Sequence, residues 1–310
     1  MRSVSLALRT GCTLQGDEQI SEPMRIVFLG TGTPDPRPHR GGSSVYVGVG
    51  GSGVVFDLGP GATRNMSLFG IDTATVDHVF FTHLHFDHSS DYPHFVLSRW
   101  DQGAGSGDDL KVLGPAPLGR MTERLFAQDG AYGPDLTARI NHPMSLQAFR
   151  NRGGEMPRQR PRLHVRELRP GDTVSEDSWR VRVGHAQHAQ PHLASLAYRL
   201  EADAGAIVIS GDTKPLAQMA DLARGAHTLV HMAMEVDAAR RRWSDIYAAC
   251  TTARGAGEIA AAAGVQRVVL VHLAVEADDP SYTDAMLNEA REAFDGEVVV
   301  GGDGLELKIP

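Results

Sequence analysis

Short apolar runs separated by glycine- and proline-rich turns dominate the chain from Met24 onward. The first, Ile26-Val27-Phe28-Leu29, predicts a buried strand that ends in the irregular stretch 30–34. The next two runs predict a hairpin because several glycines lie between them. The elements predicted for this half are strands 25–30, 44–49, 53–57 and 78–82, a helix over 61–69, and a helix over 89–100 interrupted near Pro93.

A second series of apolar runs begins at Trp179 and alternates with helical patterns. Its predicted elements are strands 179–185, 195–201, 206–210, 228–231, 268–271, 298–300 and 305–309, and helices 216–223, 258–263 and 282–293. Between the two series, 114–162 is the least regular stretch, with one predicted helix over 118–128 followed by a loop. Two strand-rich halves, each followed by helices, predict a four-layer αββα sandwich in one α/β domain.

The domain is predicted to span 24–310, with residues 1–23 as a dispensable, disordered extension. The apolar run Val4–Leu8 is broken by Ser5 and is soon followed by acidic residues, so it makes a poor signal peptide. Met24, by contrast, directly precedes the first convincing strand. This boundary is an expectation from pattern alone.

Composition narrows the class of protein. Of 310 residues, 38 are acidic and 30 are basic, which gives a formal charge of −8 and no general attraction to nucleic-acid phosphate. The two cysteines, Cys12 and Cys250, cannot build a disulfide framework and indicate a reducing compartment, hence the cytoplasm. No apolar run approaches the ~20 residues needed to span a bilayer, so no membrane association is expected.

The run Thr82-His83-Leu84-His85-Phe86-Asp87-His88 carries the strongest chemical signal. It follows an apolar strand and opens a helix. Because alternate residues of an extended segment share a face, His83 and His85 can point the same way, with Asp87 and His88 beside them at the turn. Imidazole and carboxylate are ligands suited to zinc. A metal site is therefore predicted here, and a histidine-rich surface loop is the less favoured reading.

Three more ligand-type residues stand at the ends of predicted strands, where sheet-based active sites collect: His188, Asp212 and His272. Taken singly, each is more often a hydrogen-bonded loop residue. Taken with the first cluster, they complete a set large enough for two metal ions.

These residues resemble the five-motif signature of the metallo-β-lactamase superfamily. Its glycine-ended first motif is similar to Phe56-Asp57-Leu58-Gly59, and its second to the run His83–His88. The resemblance implies that one metal binds His83, His85 and His188, that the other binds Asp87, His88 and His272, and that Asp212 bridges them. The third motif has three neighbouring histidines, His185, His188 and His192. His188 is the preferred ligand, and His185 stays open as the alternative. Two Zn²⁺ per chain are expected, with Mn²⁺ or Fe²⁺ as alternatives.

The expected chemistry follows from such a centre. A water bridging two zinc ions drops towards a pKa of ~7, and the resulting hydroxide attacks an ester-type bond. Asp87 is predicted to ligate metal and to orient the nucleophile, and Asp57 to hold a ligand histidine from the outer shell. His231, at the end of a strand, is predicted to protonate the leaving group; a structural histidine is the equal alternative.

The stretch Gly30-Thr31-Gly32-Thr33-Pro34 and the turn Ser210-Gly211-Asp212-Thr213 resemble the branch that contains ribonuclease Z and related arylsulfatases. Two motifs of the tRNA-processing members are changed. His231-Met232 lacks the glutamate that follows the first histidine, and Cys250 stands where the second motif has histidine. No long basic arm for gripping tRNA is evident.

The sequence thus predicts a hydrolase of a small-molecule carboxylic ester, lactone, phosphodiester or sulfate ester. A tRNA 3′-processing endonuclease is the first alternative, and a non-catalytic metal-binding or nucleic-acid-binding protein the second. The resemblance also implies a homodimer.

Overall fold

Fourteen strands form the framework of the described chain. The computed structural model describes residues 23–104, 109–236 and 249–310, so the predicted extension lies outside it except for its last residue. The strands are β1 Met24–Gly30, β2 Ser44–Val49, β3 Ser52–Phe56, β4 Val76–Phe80, β5 Asp109–Gly114, β6 Arg162–Glu167, β7 Thr173–Ser175, β8 Trp179–His185, β9 Leu196–Ala202, β10 Gly205–Ile209, β11 Thr228–Met232, β12 Arg267–Val271, β13 Glu297–Val300 and β14 Glu306–Ile309.

The helices of the described residues lie between these strands. They are α1 Ala62–Leu68, α2 Phe86–Ser89, α3 Tyr92–Gln102, α4 Leu118–Phe126, α5 Gly133–Asn141, α6 Pro143–Asn151, α7 Ala217–Ala223, α8 Ala253–Ala263 and α9 Pro280–Arg291. Short 3₁₀ turns cover Thr73–Thr75 and Val275–Asp278. None of these helices combines the length and apolar character that crossing a membrane requires.

Two seven-stranded sheets share one pattern of pairing. The first has the order β14-β1-β2-β3-β4-β5-β6 and the second β13-β12-β11-β10-β9-β8-β7. Each sheet has three consecutive antiparallel pairings, from β14 to β3 and from β7 to β10, and three consecutive parallel ones, from β3 to β6 and from β10 to β13. Parallel strands need crossover connections, which the helices supply. The last strand, β14, pairs with β1, so the first and last strands of the domain lie side by side in the first sheet.

Three apolar clusters define four layers. One lies between the sheets and includes Phe56, Phe80 and Tyr198. A second joins the first sheet to α1, α3 and α4, and a third joins the second sheet to α7, α8 and α9. The predicted αββα sandwich is therefore confirmed as a single α/β domain.

The stretch predicted to be least regular is in fact structured. Its two ends are the last residue of β5 and the first of β6, and between them it contains α5 and α6 besides the predicted helix, where the sequence had suggested one helix and a loop. β6 is an edge strand whose residues are exposed or only half-buried, and Leu163 and Val165 are its only apolar residues, so its apolar signal is short and weak. Each of the two helices has proline in its first turn, where proline is well tolerated, although in the sequence it resembles a loop signal.

Candidate metal centre

Loops at the ends of strands from both sheets carry the predicted ligands to one edge of the sandwich. The run His83–His88 follows β4 of the first sheet. His188, Asp212 and His272 follow β8, β10 and β12 of the second. The two edges are fastened together where Leu196 N–H donates to the carbonyl of Thr82 at 2.8 Å. Gly211 aids this contact: at φ +58° it lies so close to Thr82 that a Cβ there would be 2.7 Å from the threonine Cβ.

Four side chains meet at one side of this edge. Ligand-type atoms of His83, His85, His188 and Asp212 all lie within 4.8 Å of one another. His83 Nε2 is 3.0 Å from His85 Nδ1 and 3.9 Å from Asp212 Oδ2, and His188 Nε2 is 3.7 Å from the same oxygen. Ring nitrogens and a carboxylate oxygen therefore converge on a common point.

A second group stands beside the first. Asp87, His88 and His272, all buried, have ligand-type atoms within 4.8 Å of one another. Asp212 touches both groups, because its Oδ1 is 3.5 Å from His88 Nε2 and its Oδ2 is 3.1 Å from His272 Nε2. All seven residues predicted as ligands are thus brought together, with Asp212 between the two groups.

Asp57 supports this arrangement from outside. Its carboxylate accepts hydrogen bonds from Thr82 N–H at 2.7 Å, from the Thr82 hydroxyl at 2.7 Å and from His88 Nδ1 at 2.8 Å. Since Nδ1 of His88 donates to this carboxylate, its Nε2 is left to face the cluster. Asp57 has φ +63° and His272 φ +57°, a left-handed conformation that is uncommon outside glycine and recurs at functional sites.

The cluster is strongly polarised. Burial acts to raise the pKa of Asp212, but the neighbouring imidazoles of His272 and His88 outweigh it and hold that pKa well below its usual range. Burial acts to lower the pKa of His88, but the carboxylates of Asp212 and Asp57 outweigh it and raise that pKa well above normal. For His83, burial and the charge of His88 lower the pKa well below normal. The carboxylate of Asp212 therefore stays ionised where the ring nitrogens converge.

Buried atoms without a hydrogen-bond partner indicate which kind of ligand the cluster would bind. His88 Nε2, Asp212 Oδ1 and His272 Nδ1 are buried and have no hydrogen-bond partner among the residues that the structure describes. Such atoms are rare in folded proteins because each one costs free energy. Two of the three face the cluster, and together with the two carboxylates they fit divalent cations held by nitrogen and oxygen ligands. A cavity of about 30 Å³ also borders His88, Asp212 and His272.

The third-motif alternatives are separated by their positions. His188 is half-buried within the first group, and its Nδ1 is 3.1 Å from the backbone carbonyl of Ala249. His185, by contrast, is an exposed residue of β8, and His192 is exposed in the loop beyond it. Neither belongs to the described ligand groups. The geometry therefore favours His188.

His231 is not brought into the cluster. It alternates along β11 with Val230 and Met232, which line the small cavity, and so lies on the other face of the strand, with Leu229 and the helix-side core. Its Nδ1 is 2.8 Å from the carbonyl of Met232. Burial lowers the pKa of His231 to about 4, which leaves the ring neutral at pH 7.

Several supporting residues escaped sequence reasoning. Thr251 donates from its hydroxyl to the carbonyl of Thr213 at 2.7 Å, and Thr213 Oγ1 accepts from Gln187 N–H at 3.0 Å. This chain of bonds ties the loop of His188 to that of Asp212. Threonines in loops are too common for the sequence alone to single out Thr213 and Thr251.

Comparisons with known proteins agree with this geometry. Residues 37–242 match the family model described as the metallo-beta-lactamase superfamily. The chain is 29% identical over 285 residues to a ribonuclease Z of Mycobacterium bovis (strain BCG / Pasteur 1173P2), which covers 90% of this chain and 96% of that relative.

Solved structures show the same fold. The metallo-beta-lactamase fold protein YhfI from Bacillus subtilis superimposes with a TM-score of 0.70 and 18% identity, over 93% of this chain and 100% of that one. The short form of human tRNase Z superimposes with a TM-score of 0.66 and 19% identity, over 92% and 99%. At such identities the likeness concerns the fold alone.

Proposed function

Since this chain belongs to the metallo-β-lactamase superfamily and is a metal-dependent hydrolase of it, we propose that it cleaves an ester-type bond of a small molecule. The observation that carries the proposal is the meeting of seven histidine and aspartate side chains at the joined edges of the two sheets. The relation of this chain to ribonuclease Z, which the motifs predict, is confirmed.

The proposed ligand assignment follows the two groups. His83, His85 and His188 would hold one ion and Asp87, His88 and His272 the other, with Asp212 shared. Zinc is the proposed metal because imidazole nitrogen and carboxylate oxygen suit it, and Mn²⁺ or Fe²⁺ are alternatives. When bound, the ions supply Lewis acidity and lower the pKa of a water to about 7.

The chain's own residues would prepare the site for that chemistry. Asp57 fixes the ring of His88, and the carbonyl of Ala249 fixes that of His188, so that in both rings Nε2 faces the cluster. The buried carboxylate of Asp87, whose Oδ2 is 3.2 Å from His272 Nε2, is proposed both to ligate metal and to orient the attacking water. His85 is only half-buried, which leaves this side of the cluster open to substrate.

Two positions support a small substrate over precursor tRNA. Met232 stands where the tRNA-processing motif has glutamate, and it offers no acidic group. It is buried, and its sulfur accepts a hydrogen bond from Thr213 N–H at 2.9 Å. Burial raises the pKa of the Cys250 thiol to about 12, so it is a poor proton-transfer group at neutral pH. The formal charge of −8 also disfavours a polyanionic substrate.

Processing of tRNA 3′ ends is the second candidate, favoured by the identity with ribonuclease Z over most of the chain. That His231 protonates the leaving group stays a prediction, and its place on the helix side of β11 lends it little support. A cytoplasmic homodimer also stays a proposal, supported by cysteine usage and by resemblance.

The proposal is tested by metal analysis together with a substrate panel. Metal content would be measured by mass spectrometry, and wild type and Asp87→Ala would be assayed on an aryl ester, a lactone, a bis-aryl phosphodiester, an aryl sulfate and precursor tRNA. We expect about two zinc ions per chain and hydrolysis of one small-molecule class that Asp87→Ala abolishes. Cleavage of precursor tRNA alone would favour the second candidate, and activity indifferent to Asp87 would refute both.

A further inference from the structure

A groove of about 530 Å³ lies beside the metal centre. We call it the Phe86 groove; its sides are the loop 33–42, the start and outer face of α1, and the side chain of Phe86. Its volume falls within the ~300–1,000 Å³ of typical small-molecule sites. None of the described side chains that line it is a proposed metal ligand.

One side of the groove is apolar and open to solvent. Phe86 is 60% exposed and Leu68 57% exposed, and Phe69 adds a partly buried ring beside them. Only five large apolar side chains stand out as exposed in the described part of the chain, and two of them line this groove. Exposed apolar residues gathered in a concave surface mark binding sites more often than scattered ones do.

Basic residues also line the groove. Arg64 and His39 are exposed and line it. Arg37 and Arg40 also line it, but they are tied to Asp278 and to backbone carbonyls, so they hold the loop in place.

Two acids also line the groove. Asp303 accepts hydrogen bonds from the backbone N–H groups of Thr31 and Gly41, which offset its charge. Asp35 is the remaining acid. Arg64 is therefore the group best placed to meet an anion.

The groove adjoins the proposed catalytic cluster directly. Phe86 stands between the ligand candidates His85 and Asp87. On the floor, Gly42 N–H donates to the carbonyl of Pro60 at 3.0 Å, and a Cβ on Gly42 would lie 2.5 Å from the Asp87 backbone oxygen. The floor of the groove thus packs against the backbone of a ligand residue.

We propose that the Phe86 groove binds the non-reacting part of the substrate, and that this part combines an apolar ring or chain with a negative charge. Phe86 and Leu68 would contact the apolar portion, and Arg64 would pair with the anion. This inference rests on the proposed hydrolase function and names a substrate class for it. Phe86 and Arg64 are specificity-determining residues with no part in bond cleavage.

Binding is tested first, without any need for turnover. Zinc-loaded protein would be titrated with 8-anilinonaphthalene-1-sulfonate, an aromatic anion whose fluorescence rises on binding. We expect Phe86→Ala to raise the Kd about three- to ten-fold by loss of an aromatic contact. Arg64→Gln should raise it about ten-fold at low salt, less as salt screens the charge.

Two controls keep this result interpretable. Phe86→Leu retains apolar bulk between the ligand residues and should bind nearly as wild type does. Met144→Ala removes an exposed apolar residue from α6, outside the groove, and should change nothing. Metal content is measured for every variant. Unchanged probe binding in both Phe86→Ala and Arg64→Gln overturns the inference.

Specificity is tested next with matched substrates. Within the bond class that the panel identifies, three matched substrates would differ only in the group on the non-reacting side, which would be methyl, phenyl or 4-carboxyphenyl. Phe86→Ala should erase the preference for phenyl over methyl, and Arg64→Gln the preference for carboxyphenyl over phenyl, both through KM. Active variants that keep both preferences refute the groove assignment. A protein inert on every class, yet with probe binding sensitive to both variants, refutes the hydrolase proposal and leaves a ligand site.

Discussion

His88 donates from Nδ1 to Oδ2 of Asp57 across 2.8 Å, and both side chains are buried. The bond joins the loop after β3 to helix α2, which follows β4. Because the same carboxylate also accepts from Thr82, a single residue sets both the ring of one ligand candidate and the backbone that leads to another, His83.

Asp57→Asn should therefore weaken metal binding without removing a ligand. The amide keeps the shape of the carboxylate but loses its charge and one acceptor, so the ring of His88 is less firmly oriented. We expect a loss of about 10- to 100-fold in zinc affinity, measured by competition with a chromophoric chelator. Asp72→Asn, at an exposed 3₁₀ turn, is the control. Wild-type affinity in Asp57→Asn would mean that the outer shell is dispensable.

Metal removal should lower thermal stability. The buried carboxylates of Asp87 and Asp212 lie close together, and cations that bind only the folded state would stabilise it by about 4 kcal/mol at a thousandfold excess over Kd. We expect EDTA to lower the Tm by several degrees and added zinc to restore it, followed by calorimetry. An identical Tm with and without chelator would contradict a metal centre at this position.

Stability should also fall at low pH through Glu201. Burial acts to raise its pKa, but hydrogen bonds from Arg180 and Arg199 outweigh it and lower the pKa to about 2, against 4.5 unperturbed. A carboxyl group with a depressed folded-state pKa contributes stability above its unfolded pKa and loses it as pH falls from about 4.5 towards 2.

Comparing Glu201→Gln with wild type isolates this contribution. After a discount for solvent screening, we expect the variant to be about 1–2 kcal/mol less stable at pH 6. The difference should shrink by pH 3. Urea unfolding of both proteins in chelator excludes effects of metal release. A difference in stability that stays constant with pH would show that Glu201 acts by packing instead.

Tyr198→Phe should cost stability while leaving the metal ligands in place. The hydroxyl, fully buried, donates to the carbonyl of Phe81 at 2.6 Å and so links β9 to the end of β4. Losing it strands a buried carbonyl, at a cost of about 1–3 kcal/mol. Urea unfolding measures the loss, with Tyr132→Phe, at a partly buried ring, as the control. No loss would mean that another donor reaches that carbonyl.

His231→Gln distinguishes a proton donor from a packing residue. Because His231 lies on the helix side of β11, we expect its loss to reduce kcat far less than the about 100-fold typical of a missing general acid. The pH profile of kcat should keep its shape. A large fall in kcat together with a lost acidic limb of the profile would restore the catalytic role.

Many strands could be predicted from their apolar residues. β2, which is almost wholly buried, and β8, whose buried residues alternate with exposed arginines, were located to the residue, and β1 and β10 to within one, because their apolar runs end at glycine or polar turns. β6 escaped because an edge strand with charged, exposed side chains carries little apolar signal.

The cluster could be predicted in composition more readily than in detail. The run His83–His88 is local, and its geometry follows from a strand ending in a helix. Choosing His188 over His185 depends on where β8 stops. The carbonyl of Ala249 lies 61 residues along the chain from His188, and Thr251 lies 38 residues from Thr213. Such distant contacts leave no trace in a single sequence.

The seven ligand candidates are divided between the two sheets, four after β4 and three after β8, β10 and β12. Neither half of the chain carries all the ligands of the two metal sites. Before the two sheets dock, a ribosome-bound or partly folded chain would therefore bring together at most four of the seven ligand candidates, and full metal loading would have to wait for docking. The metals would then act as a cross-link applied last, and their uptake would time the completion of folding.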